Sequence, residues 1–155
     1  VAVEELGEGE KRILVATDGS KLSKKAVISA IDLAAVCGAE LVALKVVPRY
    51  PQSYFEGGIA LQPSEVAEVE KRWSDEGQAV VDAVKKAALA KGVTTKAVTV
   101  KSDVVSDALL AAAKKHQCDL IVMASHGRKG IKRLLLGSET QHVLTHAAIP
   151  VLILK

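Results

Sequence analysis

Short aliphatic runs at Ile13–Ala16, Leu41–Val47, Ala97–Val100, Leu120–Ala124 and Val151–Leu154 have the length and composition of buried strands. Between the first two, Val27, Ala30, Ile31 and Ala34 recur at helical spacing, while Lys24, Lys25 and Asp32 fall on the other face. A longer helical pattern runs from Ser64 to Ala90, with Val66, Val69, Trp73, Val80 and Val84 on one side and Gly92 just beyond its end. A third, from Val104 to His116, gathers Val105, Ala108, Leu109, Ala112 and Ala113, and a fourth begins at Ser138. The predicted order is βαβαβαβαβ.

Strands that alternate with helices of this length need crossover connections, so the expected class is α/β, with helices on both faces of an open, mainly parallel five-stranded sheet. A chain of 155 residues suits one domain with one core. We divide it into an acidic leader, residues 1–10, expected to be flexible, and a domain over residues 11–155. The one long irregular stretch, Pro48 to Pro63, carries Tyr50, Tyr54 and Phe55, three of the four aromatics. A connection of that length is either a solvated loop or a lid or subunit contact.

Composition and charge then narrow the chemistry. With Trp73 the only other aromatic, the interior must be filled by Val, Ile, Leu and Ala, as suits a sheet buried on both faces. The net charge of +3 is mild but uneven. Glu4, Glu5, Glu8 and Glu10 precede the first basic residue, whereas Arg128, Lys129, Lys132 and Arg133 crowd together, the natural place for an anionic ligand. Cys37 and Cys118 have no metal-ligand or CxxC spacing and are expected to be reduced core residues. No apolar run approaches the roughly 18 residues of a membrane span, so a cytoplasmic protein with no membrane partner is expected.

The stretch Met123-Ala124-Ser125-His126-Gly127-Arg128-Lys129-Gly130 directly follows a strand, and Gly137-Ser138 opens the last helix. Ligands of open parallel sheets bind outside the carboxyl ends of strands, where connections reverse direction. Glycines there let backbone N–H groups approach phosphate oxygens, and the nearby cations offset their charge. Ser138 and Gln141 have the spacing of a capping box, so Ser138 reads either as a plain N-cap or as part of an anion site at a helix N-terminus. Gly127 and Gly130 likewise fit a tight turn as well as a phosphate loop, and Asp18 in Thr17-Asp18-Gly19-Ser20 fits a turn or N-cap.

From Lys11-Arg12-Ile13-Leu14-Val15-Ala16-Thr17-Asp18 to Ile149-Pro150-Val151-Leu152-Ile153, the sequence resembles the universal stress protein family. Its nucleotide-binding members carry a glycine, two residues, a second glycine, nine residues, then glycine and Ser or Thr. Gly127, the nine residues to Leu136, and Gly137-Ser138 fit that pattern, and Ala124 stands where the first glycine belongs. The resemblance implies a Rossmann-like fold of the adenine nucleotide alpha hydrolase type and ATP as ligand, with AMP or ADP and a magnesium ion left open. It implies contacts to the nucleotide from Ala16 and Asp18 after the first strand, from Val46 at the adenine, and from Ala124, Ser125, Gly127, Arg128, Gly130, Gly137, Ser138 and Thr140. A homodimer through the last strand and a further protein partner are also implied.

Rival motifs fit less well. Ser125-His126-Gly127 resembles half of a hydrolase nucleophile elbow, but Met123 occupies the first glycine position. His142 and His146 stand four apart on one helix without the Glu of a zinc-protease motif. Gly127-Arg128-Lys129-Gly130 follows a strand, whereas the nucleic-acid-clamping G-x-x-G joins two helices, so no nucleic-acid partner is expected. The expected function is a nucleotide-binding regulatory or stress-response module. The alternatives are a dimeric interaction protein without nucleotide binding, and a weak ATPase with no assigned catalytic residue.

Overall fold

The computed structural model describes residues 11–51, 62–126 and 136–155. The leader, the stretch with Tyr54 and Phe55, and the candidate residues Gly127, Arg128 and Gly130 lie outside the described residues. The elements are β1 (Arg12–Ala16), α1 (Lys21–Cys37), β2 (Glu40–Val47), α2 (Pro63–Leu89), β3 (Thr95–Lys101), α3 (Val105–Lys115), β4 (Leu120–Ala124), α4 (Ser138–His146) and β5 (Val151–Leu154). The expected order of elements is the observed one.

All four strand pairings are parallel, and the order across the sheet is β3-β2-β1-β4-β5. The chain therefore winds outward from β1 to β3, then crosses back to β4 and winds the other way. Successive side chains of a strand point to opposite faces, and each face acquires its own core. Ile13, Val15, Leu41 and Val122 pack with Val27, Ala30 and Ile31 of α1 and Val81 and Val84 of α2. Leu14, Val42, Leu44 and Ile121 pack with Leu109 and Ala112 of α3 and Val143 of α4. Arg12 is fixed at the foot of β1, where its Nε donates to Glu40 Oε2 at 3.1 Å and its backbone N–H to Asp119 Oδ2 at 2.9 Å.

The α2 stripe differs from the sequence expectation. Its fully buried positions are Gly77, Val81, Val84 and Ala88, while Val66, Val69, Trp73 and Val80 are only partly covered. The helix lies close against the sheet at Gly77, so the stripe passes through a residue with no side chain to mark it. A Cβ built on Gly77 would lie 2.8 Å from Val47 Cγ2. Toward its start, α2 is held to the chain leaving β2: Tyr50 stacks on Trp73 with centroids 6.1 Å apart, and the Tyr50 N–H donates to Glu70 Oε1 at 3.0 Å. At the entry itself, Pro63 occupies the first helical position and Glu65 Oε2 accepts from the Gln62 N–H at 2.7 Å.

Of the two cysteines expected in the core, only Cys118 is buried, and burial pushes its thiol up to about 11. Cys37 is partly exposed because it ends α1, where the helix has run out to the surface beside the exposed Val36. Among the described residues, no helix is long and apolar enough to cross a membrane.

The close approach at Gly77 makes a definite prediction. Alanine improves helix propensity by about 1 kcal/mol but must displace a buried Val47, and overpacking costs about 1–3 kcal/mol. Gly77→Ala is expected to lower the denaturant midpoint, a net loss of about 1 kcal/mol at unchanged slope. A raised midpoint would show that Val47 yields freely.

Candidate functional site

The winding reverses between β1 and β4, so the loops leaving their carboxyl ends diverge and leave a crevice. A cavity of about 190 Å³ lies there. Ala16, Thr17 and Asp18 wall it from the end of β1, Leu44 to Val46 from β2, and Met123, Ala124 and His126 from β4. The first turn of α4 contributes Glu139 and Thr140, and α3 contributes Val105 and Leu109. Five residues singled out from the sequence, Ala16, Asp18, Val46, Ala124 and Thr140, thus meet around one space.

Each wall has a local cause. Beyond β1, the Thr17 N–H still donates to Leu44 O at 3.0 Å, which keeps the turn against β2. Asp18 Oδ1 accepts from the Ser20 N–H at 2.8 Å, and Ser20 Oγ in turn caps α1 by accepting from the Ser23 N–H at 3.2 Å. Asp18 is therefore a turn residue and a cavity wall at once. Ser125 is buried at the end of β4, where its N–H donates to Leu154 O at 2.8 Å and its Oγ lies 2.9 Å from His126 Nδ1.

The first turn of α4 is fastened to that strand end. Thr140, 2 % exposed, points its hydroxyl at both Ala124 O (3.1 Å) and Ser125 O (3.2 Å). The Gly137 N–H donates to Ser125 O at 2.9 Å, and a Cβ on Gly137 would stand only 3.3 Å from that oxygen. The N-cap is Gly137, and Ser138 is the first helical residue. The capping-box reading of Ser138 with Gln141 is thereby corrected: Gln141 Nε2 reaches back to Leu136 O at 3.1 Å instead. The correction places Ser138 in the turn whose N–H groups have no intrahelical acceptor, the end that favours anions.

Glu139, in the same turn, reaches across to α3. Its Oε2 accepts from the Ser106 N–H at 2.7 Å, at the N-terminus of α3, where the N-cap Val104 has no side chain able to cap. Glu139 and the α3 wall of Val105 and Leu109 escaped the sequence reading because nothing local marks them. Only the tertiary packing of α3 on α4 brings them to the crevice. His142 and His146 lie away from it, stacked with centroids 4.1 Å apart; His142 Nε2 is 3.0 Å from Asp107 Oδ1. Among the described residues, no group of three His, Cys, Asp or Glu side chains is placed to hold a metal.

The model of the universal stress protein family matches residues 10–155. The chain belongs to that family. A universal stress protein of Methanocaldococcus jannaschii is 35 % identical over 145 residues, which cover 94 % of this chain and 82 % of that one. Among solved structures, universal stress protein UspA from Lactobacillus plantarum superposes with a TM-score of 0.79 at 22 % identity, covering 96 % of this chain and all of that one, a likeness of fold. A universal stress protein solved in complex with cAMP superposes with a TM-score of 0.68 at 27 % identity, covering 94 % of this chain and 97 % of the other. The α/β sheet with its β1/β4 reversal is thus the family's architecture in this chain.

Proposed function

We propose that this universal stress protein is a cytoplasmic regulatory module that binds an adenine nucleotide in the crevice at the carboxyl ends of β1, β2 and β4. The observation that carries the proposal is the convergence of Ala16, Asp18, Val46, Ala124 and Thr140 on one cavity at the point where the winding reverses. The relative solved with cAMP supports the ligand class.

In this reading Val46 packs against the adenine, and Asp18 accepts from the sugar hydroxyls. The phosphates extend past Ser125 toward Ser138 and the N-terminus of α4, and toward Gly127, Arg128 and Gly130. The described walls enclose less than the roughly 300–1,000 Å³ of complete ligand pockets, a size that suits base and sugar rather than a whole triphosphate. Magnesium would arrive on the phosphates of ATP, as is usual for an ion that keeps several waters. Binding, rather than hydrolysis, is the function proposed, and the bound state is read by a protein partner.

Calorimetric titration of nucleotide-stripped protein with ATP, with and without magnesium, is the test. Saturable binding is expected, and Gly137→Val, which drives a branched side chain against Ser125 O, should weaken it at least about tenfold. Ala124→Gly should tighten binding, because it removes a methyl from the cavity wall. Absence of binding at millimolar ATP would favour an interaction protein without a nucleotide.

We further propose a homodimer through β5. Among the described residues this strand is a sheet edge paired only with β4, and it exposes Leu152 at 40 %. Val151 and Ile153 also touch the core, so Leu152→Lys is the cleaner probe. It should convert a dimer to a monomer in sedimentation at unchanged thermal stability, and a dimer that survives the substitution would contradict the interface.

A further inference from the structure

At the opposite pole, below the amino ends of the strands, lies a larger cavity of about 540 Å³. It straddles the start of β3, which is the free edge of the sheet. Arg12, Lys85, Lys96 and Lys115 line it, against two carboxylates, Glu40 and Asp82. Those carboxylates are partly engaged: Glu40 Oε2 accepts from Arg12 Nε at 3.1 Å, and Asp82 Oδ1 accepts from Gln78 Nε2 at 2.9 Å. The carbonyl end of α3, which would repel an anion, is occupied as well, because Arg12 Nη1 donates to His116 O at 3.3 Å.

We propose that this pole is a second ligand site, for a small multivalent anion of the polycarboxylate or pyrophosphate class, held by Arg12, Lys96 and Lys115. These three cations come from three separate places in the chain, the foot of β1, the edge strand and the end of α3. Their convergence on His116 is felt there: burial, then the fields of Lys96, Lys115 and Arg12, hold its imidazole below the ordinary histidine range. Four cations against two carboxylates, one of them paired with Arg12, leave an excess of positive charge around the cavity. An anion bound here would offset the fields of the cations and raise the midpoint of His116 against the part that burial imposes.

The site is separate from the nucleotide crevice, since the two lie at opposite ends of the same strands. One element nevertheless touches both. Val105 and Leu109 of α3 wall the crevice, and Lys115 and His116 at its far end wall this cavity.

The test is to titrate the full chain at low ionic strength with pyrophosphate and, separately, with citrate. Heat is followed by calorimetry, and the His116 ring by NMR across a pH series. Saturable binding is expected with a rise in the His116 midpoint, each of Lys96→Ala and Lys115→Ala weakening it about tenfold, and Gly137→Val leaving it intact. Response to pyrophosphate alone would assign a phosphate ligand, to citrate alone a carboxylate ligand, and to both a general multivalent-anion site. An unmoved His116 resonance at millimolar levels of both probes would overturn the proposal. So would binding that both lysine variants leave unchanged.

Discussion

The hydrogen bonds that fasten the first turn of α4 to the end of β4 set the geometry of the functional pole. Thr140 gives one hydroxyl to two successive carbonyls, Ala124 O and Ser125 O, and the Gly137 N–H takes the second of these as well. Both carbonyls lie where a parallel strand ends, and a buried carbonyl left without a donor is costly, so the contact is specified by chemistry as well as by packing. Its consequence is positional. The N-terminus of α4 is brought beside the crevice between β1 and β4, with Ser138 in the turn that presents unpaired N–H groups. Glycine suits position 137 because a Cβ there would press on Ser125 O at 3.3 Å.

The same physical logic explains what could be read from the sequence and what could not. Strand and helix order was legible because β1, β2 and β4 are buried on both faces and therefore nearly continuous in Val, Ile, Leu and Ala, while α1 and α3 show clean helical periodicity. The face of α2 differs from its periodicity around Gly77, which contributes no hydrophobic signal to the pattern, while Val84 is buried as expected. Of the two readings open for Ser138, the N-cap rests on its spacing to Gln141, whereas the structure puts the cap one residue earlier, at Gly137, whose N–H donates to Ser125 O. Cys37 follows an apolar run, and at the end of α1 it packs against the core while remaining partly exposed.

Residues of the crevice divide along the same line. Ala16 and Ala124 end β1 and β4 and Asp18 lies just beyond β1, so the carboxyl-end rule agrees with the family resemblance that singles them out. Val46 is an ordinary strand residue that only family resemblance singles out. Glu139, Val105 and Leu109 need the packing of α3 on α4. That packing also turns the Glu139 carboxylate toward the N-terminus of α3, where it accepts from the Ser106 N–H. Two poles with different chemistry result: a crevice walled largely by apolar side chains and strand ends at one end of the sheet, and a cavity dominated by cations at the other.

The central claim, that the crevice at the β1/β4 reversal is where a nucleotide sits, is tested most directly by mapping AMP binding residue by residue with ¹H–¹⁵N NMR. The account predicts saturable shifts at Ala16, Asp18, Val46, Ser125, Ser138 and Thr140, and unchanged amides on the outer face of α2. Shifts confined to other surfaces, or a spectrum that millimolar AMP leaves unaltered, would contradict it.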